Sequence, residues 1–249
     1  DVQPYLALAV GLQGAGHRVT LATSASFSQW IESYGVGAHP VRFNLQEAMQ
    51  TPEVQAILKG RNYLRQIRLL RDAMSQSPEA QDATWEAIQD ADLVIQSPTG
   101  TGGLEAVSQR GIPAVFPAPI PFAPTDAFPS FFLGSMRFSP GKRYNTLTHK
   151  LTQRLLWSSV AAPMTKHLRQ KLGLRPWRSY GEMLAYGRSM STPWLYGFSA
   201  HVIPRPADWD ETQHITGYWF LDPPPGWLPA EALVRFLDSG PAARLHRLW

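Results

Sequence analysis

The spacing of apolar residues changes several times along the chain, and each change marks a predicted element. Leu6, Leu8, Ala9, Val10 and Leu12 form an almost wholly apolar segment. Pro4 suits the first turn of a helix there, and Gly16 suits its end. Val19, Leu21 and Ala22 predict a short strand, Phe27 to Tyr34 a second short helix stopped by Gly35, and Val36 to Phe43 another extended stretch. Residues Leu45 to Ser77 break this rhythm. Val54, Ile57 and Leu58, then Leu64, Ile67, Leu69 and Leu70, recur at helical spacing and predict one or two inserted amphipathic helices. Helix Glu79 to Gln89 resumes the alternation, and Asp92 to Gln96 reads as a compact buried strand. Ser97 to Gly103 is a glycine turn, Leu104 to Gln109 a helix capped by Gly111, and Ile112 to Phe116 the start of the next strand. Strand, turn, helix and strand make a βαβ unit, for which a right-handed crossover is expected.

Beyond Phe116 the chain changes character. Pro117, Pro119, Pro121, Pro124 and Pro129 alternate with Ile120, Phe122 and Phe128, followed by Phe131 and Phe132. Prolines interrupt strand pairing, so a stiff loop carrying aromatic side chains is expected. Tyr144 to Leu172 predicts a long helical region broken near Pro163, and Trp194 to Gly197 a strand. A proline-rich run from Pro204 to Pro229 leads to a last helix, Ala230 to Leu237. The fold class read from this order is α/β: a Rossmann-like parallel sheet with covering helices.

Composition narrows the chemistry. The 249 residues are 44% hydrophobic and 17% charged, which suits a globular protein with a substantial core. No apolar run approaches the ~20 residues of a membrane span. Cysteine is absent, which removes disulfides, thiolate–metal sites and thiol catalysis. The seven histidines lack metal-ligand spacing, so no metal site is expected. The net charge of +4 is dispersed except over Lys59 to Arg71 and Lys142 to Lys171. Each stretch reads either as a solvated helix face or as a surface drawn to anionic lipid headgroups. No nucleic-acid-binding motif is present.

Three constellations could carry chemistry. Asp1 sits just before a helix, where the helix dipole stabilises its charge and where open α/β sheets bind ligands. It reads as a general base for an attacking hydroxyl or as a simple cap. The turn Gly100, Thr101, Gly102 and Gly103 could cradle a phosphate through backbone N–H groups. It lacks both the dinucleotide and the P-loop spacing, so a tight turn without ligand stays open. The proline-aromatic loop could wall an apolar pocket, with Phe122 and Phe128 as its surface and Thr125 and Asp126 as its polar groups. Ordinary packing at the edge of the core accounts for the same residues.

Several segments together resemble the sterol 3-beta-glucosyltransferase-like group of GT-B enzymes, whose N-terminal half is a glycosyltransferase family 28 domain. They are Asp1-Val2-Gln3-Pro4-Tyr5 to Thr23, Gly111-Ile112-Pro113-Ala114, Pro124-Thr125-Asp126-Ala127-Phe128-Pro129 and Leu172-Gly173-Leu174. Tyr196 to Ser199, Pro204-Arg205-Pro206-Ala207-Asp208-Trp209 and Thr216-Gly217-Tyr218-Trp219-Phe220 complete the series. In that family the first motif reads Gly-Ser-Arg-Gly-Asp-Val-Gln-Pro after the first strand, and its Asp, matched by Asp1, is the candidate base. The resemblance implies transfer of a hexose, glucose by preference, from a UDP-sugar to a sterol or lipid hydroxyl. The UDP-sugar is a co-substrate, and neither a cofactor nor a metal is required. The proline-aromatic loop lies by position in the acceptor-binding region.

The resemblance also sets expectations for organisation. Residues 1–205 are read as the acceptor domain, 206–240 as an interdomain linker and helix, and 241–249 as an aberrant tail. A first strand is expected to be missing before Asp1. Arg244 to Trp249 can be read as a frameshifted version of the family's Val-Tyr-Ile-Gly-Phe-Gly, so the donor-binding domain that holds the UDP-sugar is expected to be missing too. The expectation is a cytoplasmic protein, with peripheral membrane contact left open. An inactive lipid- or sterol-binding module and a non-functional gene fragment are the rival readings.

Overall fold

The computed structural model describes residues 2–41, 55, 78–98, 100–133, 139–224 and 226–239. The expected helices within Leu45 to Ser77, the basic stretch Lys59 to Arg71, Asp1 and the tail 241–249 lie outside the described residues. What is described is an α/β arrangement in which every strand pair is parallel.

Helix α1, Gln3–Gly14, carries its proline in the first turn, where no intrahelical N–H is lost. The chain turns at Gly16, whose φ of 93° is open to glycine at little cost. Strand β1, Thr20–Ser24, follows, then a short 3₁₀ turn, helix α2, Ser28–Glu32, and strand β2, Gly37–Val41. β1 and β2 pair as a two-stranded sheet. Leu6, Ala9, Ile31 and Val36 form its buried core.

Helix α3, Pro78–Ala87, leads to strand β3, Val94–Ile95, helix α4, Gly103–Arg110, and strand β4, Ala114–Ala118. β3 is shorter than the apolar run suggested, and Leu93 is exposed rather than buried. Helix α5, Lys142–Leu156, passes through a π turn at Trp157–Ala161 into helix α6, Ala162–Lys171. The π turn takes up the register change just ahead of Pro163, so the long helix is offset there rather than cut. Helix α7, Tyr180–Ser189, strand β5, Trp194–Tyr196, strand β6, Gln213–Ile215, and helix α8, Glu231–Asp238, complete the order. The second sheet runs β3-β4-β5-β6.

Pro117 lies inside β4 and not in the loop after it, opposite Leu195 of β5. In a parallel ladder successive N–H groups face opposite neighbours. Phe116 donates to Pro193 and Gly197 donates to Ala118, which holds β5 in place. The position of Pro117 faces the other side, past the end of β3, where no donor is required.

Tyr196 organises the main core. It is fully buried, stacks on Trp209 with ring centroids 4.7 Å apart, and lies beside Trp194 and Phe198. Its hydroxyl donates to Gln213 Oε1 at 2.8 Å and accepts from the Ala123 N–H at 3.1 Å, tying the proline-aromatic loop to the sheet. Tyr196→Phe leaves both partners short of a hydrogen bond inside the core. We expect a loss of about 1–3 kcal/mol in denaturant unfolding with the secondary structure unchanged. A loss below ~0.5 kcal/mol would show that the hydroxyl does not hold the loop.

Candidate functional site: an apolar cavity beside the glycine turn

Gln96 folds the glycine turn around itself. Its Nε2 donates to Gly100 O at 2.9 Å, and its Oε1 accepts from the Gly103 N–H. A Cβ on Gly100 would stand 2.9 Å from Gln96 Cγ, and one on Gly103 would stand 2.7 Å from Gln96 Oε1. The glycines are therefore needed for close approach. Gly102 adopts φ 100°, and its N–H donates to Glu105 Oε2 at 3.1 Å, while the Gly100 N–H donates to Ser97 O at 2.8 Å. Thr101 is buried. The N–H groups of Gly100, Gly102 and Gly103 are thus engaged by the chain's own acceptors, which accounts for the turn as local structure.

Above this turn a cavity opens with about 720 Å³ of empty space, counted out into the solvent at its mouth. Gln96, Pro98 and Gly100 line one side, and Leu104 and Glu105 of α4 line the floor. Phe116, Phe122 and Trp194 supply an aromatic wall, with Phe122 stacked on Trp194. Leu156, Ala161 and Thr165 come from the α5–α6 region, and Tyr180, Met183, Leu184 and Gly187 from α7. The largely apolar lining with a few polar groups is that of a small-molecule site.

The polar groups in the wall are unequal. Gln96 and Glu105 are occupied by the glycine turn, and the Thr165 hydroxyl donates to Ala161 O at 2.9 Å. Glu105 also meets Arg169 of α6 at 3.3 Å, with both side chains buried. Arg169 in turn donates to Arg175 O and lies 3.7 Å over the ring of Trp177. Tyr180 is different. It is 5% exposed and lines the cavity, yet its hydroxyl makes no hydrogen bond among the described residues. Burial raises its pKa above the ordinary tyrosine value, so it stands as a neutral donor.

Of the positions predicted for acceptor binding, Phe122 lines the cavity. Thr125, Asp126 and Phe128 have partners in the protein. The Thr125 hydroxyl donates to Asp208 Oδ1 at 2.6 Å, and the Asp126 N–H donates to Asp208 Oδ2 at 2.8 Å. The Asp126 carboxylate meets Lys142 Nζ at 2.8 Å, and its carbonyl accepts from Asn145. Phe128 packs against the main core, and its carbonyl pairs with His149 Nε2. Burial alone would raise the pKa of Asp208. The bonds from Thr125, Asp126 and its own backbone, with the Lys142 charge, outweigh that and hold it below the carboxylate range. The clamp therefore adds stability above the ordinary Asp pKa and loses it as pH falls through the lowered one.

The Asp208 clamp belongs to the Pro-Arg-Pro-x-Asp-Trp motif, and the rest of that motif is also structural. Arg205 folds the segment by donating to Trp209 O and Asp210 O, and Trp209 packs on Tyr196. In the Thr-Gly-Tyr-Trp-Phe segment, Trp219 donates to Thr216 Oγ1 at 3.0 Å. The Trp219 ring covers Gly197 so closely that a Cβ there would stand 3.0 Å from it.

Asp1 lies outside the described residues, but the helix that follows it is anchored to the site. Tyr5 in the first turn of α1 donates to Pro117 O at 3.1 Å, at the carboxyl end of β4. Burial pushes its pKa up to about 12, an effect the Ser97 side chain partly offsets. Tyr5 thereby ties the first turn of α1 to the end of β4 and to Ser97, which stands between cavity residues Gln96 and Pro98 in the chain.

Residues 1–115 match the glycosyltransferase family 28 N-terminal domain. The chain is 33% identical over 244 residues to a sterol 3-beta-glucosyltransferase of Leptosphaeria maculans, covering 96% of this chain and 16% of that protein. It is 30% identical over 249 residues to a protein of the same description from Cryptococcus neoformans var. neoformans, covering 96% and 15%. The chain thus spans about one sixth of the length of these curated relatives. Among solved structures it is similar to CalG4, the calicheamicin glycosyltransferase, with TM-score 0.47 and 20% identity, over 92% of this chain and 52% of that one. Among the described residues no cluster of three or more His, Asp or Glu could hold a metal ion. No described helix is long and apolar enough to cross a membrane.

Helix α7, which supplies four cavity residues, escaped the apolar pattern because Gly181 and Gly187 dilute it. Its signal is the pair Ser179 and Glu182. Ser179 Oγ accepts from the Glu182 N–H in the manner of a capping box.

The buried Glu105–Arg169 pair sets the cavity floor, so its removal should register in stability. Glu105→Leu strands the Arg169 guanidinium, and we expect a loss of about 3–5 kcal/mol. Glu105→Leu with Arg169→Leu should recover most of that loss in chemical denaturation. Equal losses in the single and double variants would show that the pair is not the cause.

Proposed function

We propose that this chain forms the acceptor-binding part of a glycosyltransferase that moves a hexose from a UDP-sugar to the hydroxyl of a sterol or related lipid. The observation that carries this reading is the cavity: in a chain whose first 115 residues match the family 28 domain, an apolar chamber is lined by Tyr180, whose hydroxyl makes no hydrogen bond among the described residues. A rigid apolar alcohol fits that chemistry. Its ring system buries against Phe122, Trp194, Met183 and Leu184, and its polar end meets Tyr180. The names of the relatives agree with a sterol as that alcohol and glucose as the sugar.

In this reading Asp1 accepts the proton of the attacking hydroxyl. The Tyr5 anchor supports the assignment because it keeps the start of α1 beside the cavity. The UDP-sugar is a co-substrate whose binding needs residues beyond those that line this cavity. The protein's share of the rate is to hold the hydroxyl, the base and the sugar carbon in line.

The test combines binding with turnover. A fluorescent sterol should bind saturably, and Leu184→Trp, which fills the chamber, should weaken it by at least tenfold. Tyr180→Phe should weaken it roughly fivefold, the worth of about 1 kcal/mol for one hydrogen bond. Glucosylation of a sterol from UDP-glucose should fall at least roughly 100-fold in Asp1→Asn, with sterol binding retained. Sterol binding unchanged by Leu184→Trp would place the acceptor elsewhere.

A further inference from the structure

Helix α5 presents two unlike ridges to solvent. Residues four apart lie almost in line along a helix. Leu147, Leu151 and Leu155 make one ridge, each at least 40% exposed. Beside it Lys150 and Arg154, with Arg143 at the foot, make a basic ridge whose members are all exposed. Among the described residues none of these three cations pairs with an acid, while Lys142 is taken by Asp126. The opposite face, Asn145, Thr148, His149 and Thr152, is buried.

A second segment enlarges the apolar ridge. The Ser130 N–H donates to Thr148 Oγ1, and the Ser130 hydroxyl bonds to that of Thr152. Thr148 and Thr152 follow Leu147 and Leu151 by one position, about 100° round the helix. Phe131, Phe132 and Leu133, which follow Ser130 directly, are all exposed. Six exposed large apolar side chains thus lie on α5 and on the turn bonded to it, and α5 also carries the exposed cations. The charge setting extends further: between Asp126 and Glu182 the sequence holds ten Lys or Arg and no Asp or Glu.

We propose that the leucine–phenylalanine face of α5 and the Phe131–Leu133 turn docks the protein on an anionic lipid surface, with Arg143, Lys150 and Arg154 against the headgroups. An apolar strip beside a basic one is the arrangement that rests in a bilayer interface. A protein partner with an acidic apolar groove would need a defined shape, whereas the fluid interface accepts this long, gently uneven strip. The face also meets the cavity wall at two points. Phe132 packs edge-on against Phe122, and Leu156 of the cavity wall follows Leu155. Docking does not depend on the acceptor reading. If both hold, a lipid alcohol passes from the bilayer to the chamber along apolar surface.

Sterol-free vesicles test docking alone. The protein should co-sediment with phosphatidylcholine vesicles containing phosphatidylglycerol, and only weakly with phosphatidylcholine alone. Raising the salt should weaken the interaction. Lys150→Glu with Arg154→Glu should lower partitioning at least roughly 30-fold, taking ~1 kcal/mol for each basic residue at the surface. Leu147→Ser, Leu151→Ser and Leu155→Ser together should also abolish co-sedimentation, with unfolding transitions close to wild type because all three are exposed. Salt-insensitive binding, or binding unchanged by either set of substitutions, would overturn the proposal. So would a protein dimer that the leucine substitutions dissociate while vesicles fail to bind, because a second copy would then be the occupant.

Discussion

The chamber depends on one buried carboxylate. Glu105 stands at the start of α4, where one oxygen closes the glycine turn and the other meets Arg169 on α6. Arg169 then reaches Trp177 and the carbonyl of Arg175, in the connection that leads to α7. A single charged pair therefore sets the positions of the turn, α6 and α7, three of the elements that enclose the cavity. A buried pair seldom adds net stability over an apolar one. Its use here is positional: the hydrogen-bond directions of Glu105 and Arg169 admit one arrangement of these elements, while apolar packing alone would tolerate several.

The residues most conspicuous in the sequence turn out to frame the cavity rather than to line it. Asp208, Trp209 and Arg205 bind the proline-aromatic loop and the β5–β6 connection to one another. Trp219 seals Gly197. The loop's position then brings Phe122 to the wall, while Thr125 and Asp126 point to the clamp. Polar side chains in a loop read equally well as ligand contacts or as loop staples. Only the location of Asp208, more than 80 residues away in the chain, decides between the two in this structure.

The parallel α/β order was legible because strand and helix periods alternate from Leu6 to Phe43 and again from Glu79 to Phe116. The glycine turn was legible for the same reason, though the role of Gln96 as its centre was not, since a single glutamine carries no pattern. α7 was obscured by its two glycines, and β6 was hidden by its brevity and polar composition within a proline-rich run. Pro117 was read as a strand breaker because the sequence does not tell which side of a ladder a residue faces. Tyr180 could not be singled out at all. Its distinction is a hydroxyl that lines the cavity and makes no hydrogen bond among the described residues, and that property exists only in three dimensions.

The aromatic wall of the cavity meets the outer turn through Phe122 and Phe132, and Leu156 of the wall follows the exposed Leu155 of α5. The central claim is that this chamber is where a lipid alcohol sits. The most direct measurement is photolabelling with a diazirine-bearing sterol, mapped by mass spectrometry. The account predicts labels on Met183, Leu184 and Phe122, suppressed by excess unlabelled sterol. Labels confined to the exposed Leu147–Leu155 face, or indifferent to competition, would contradict it.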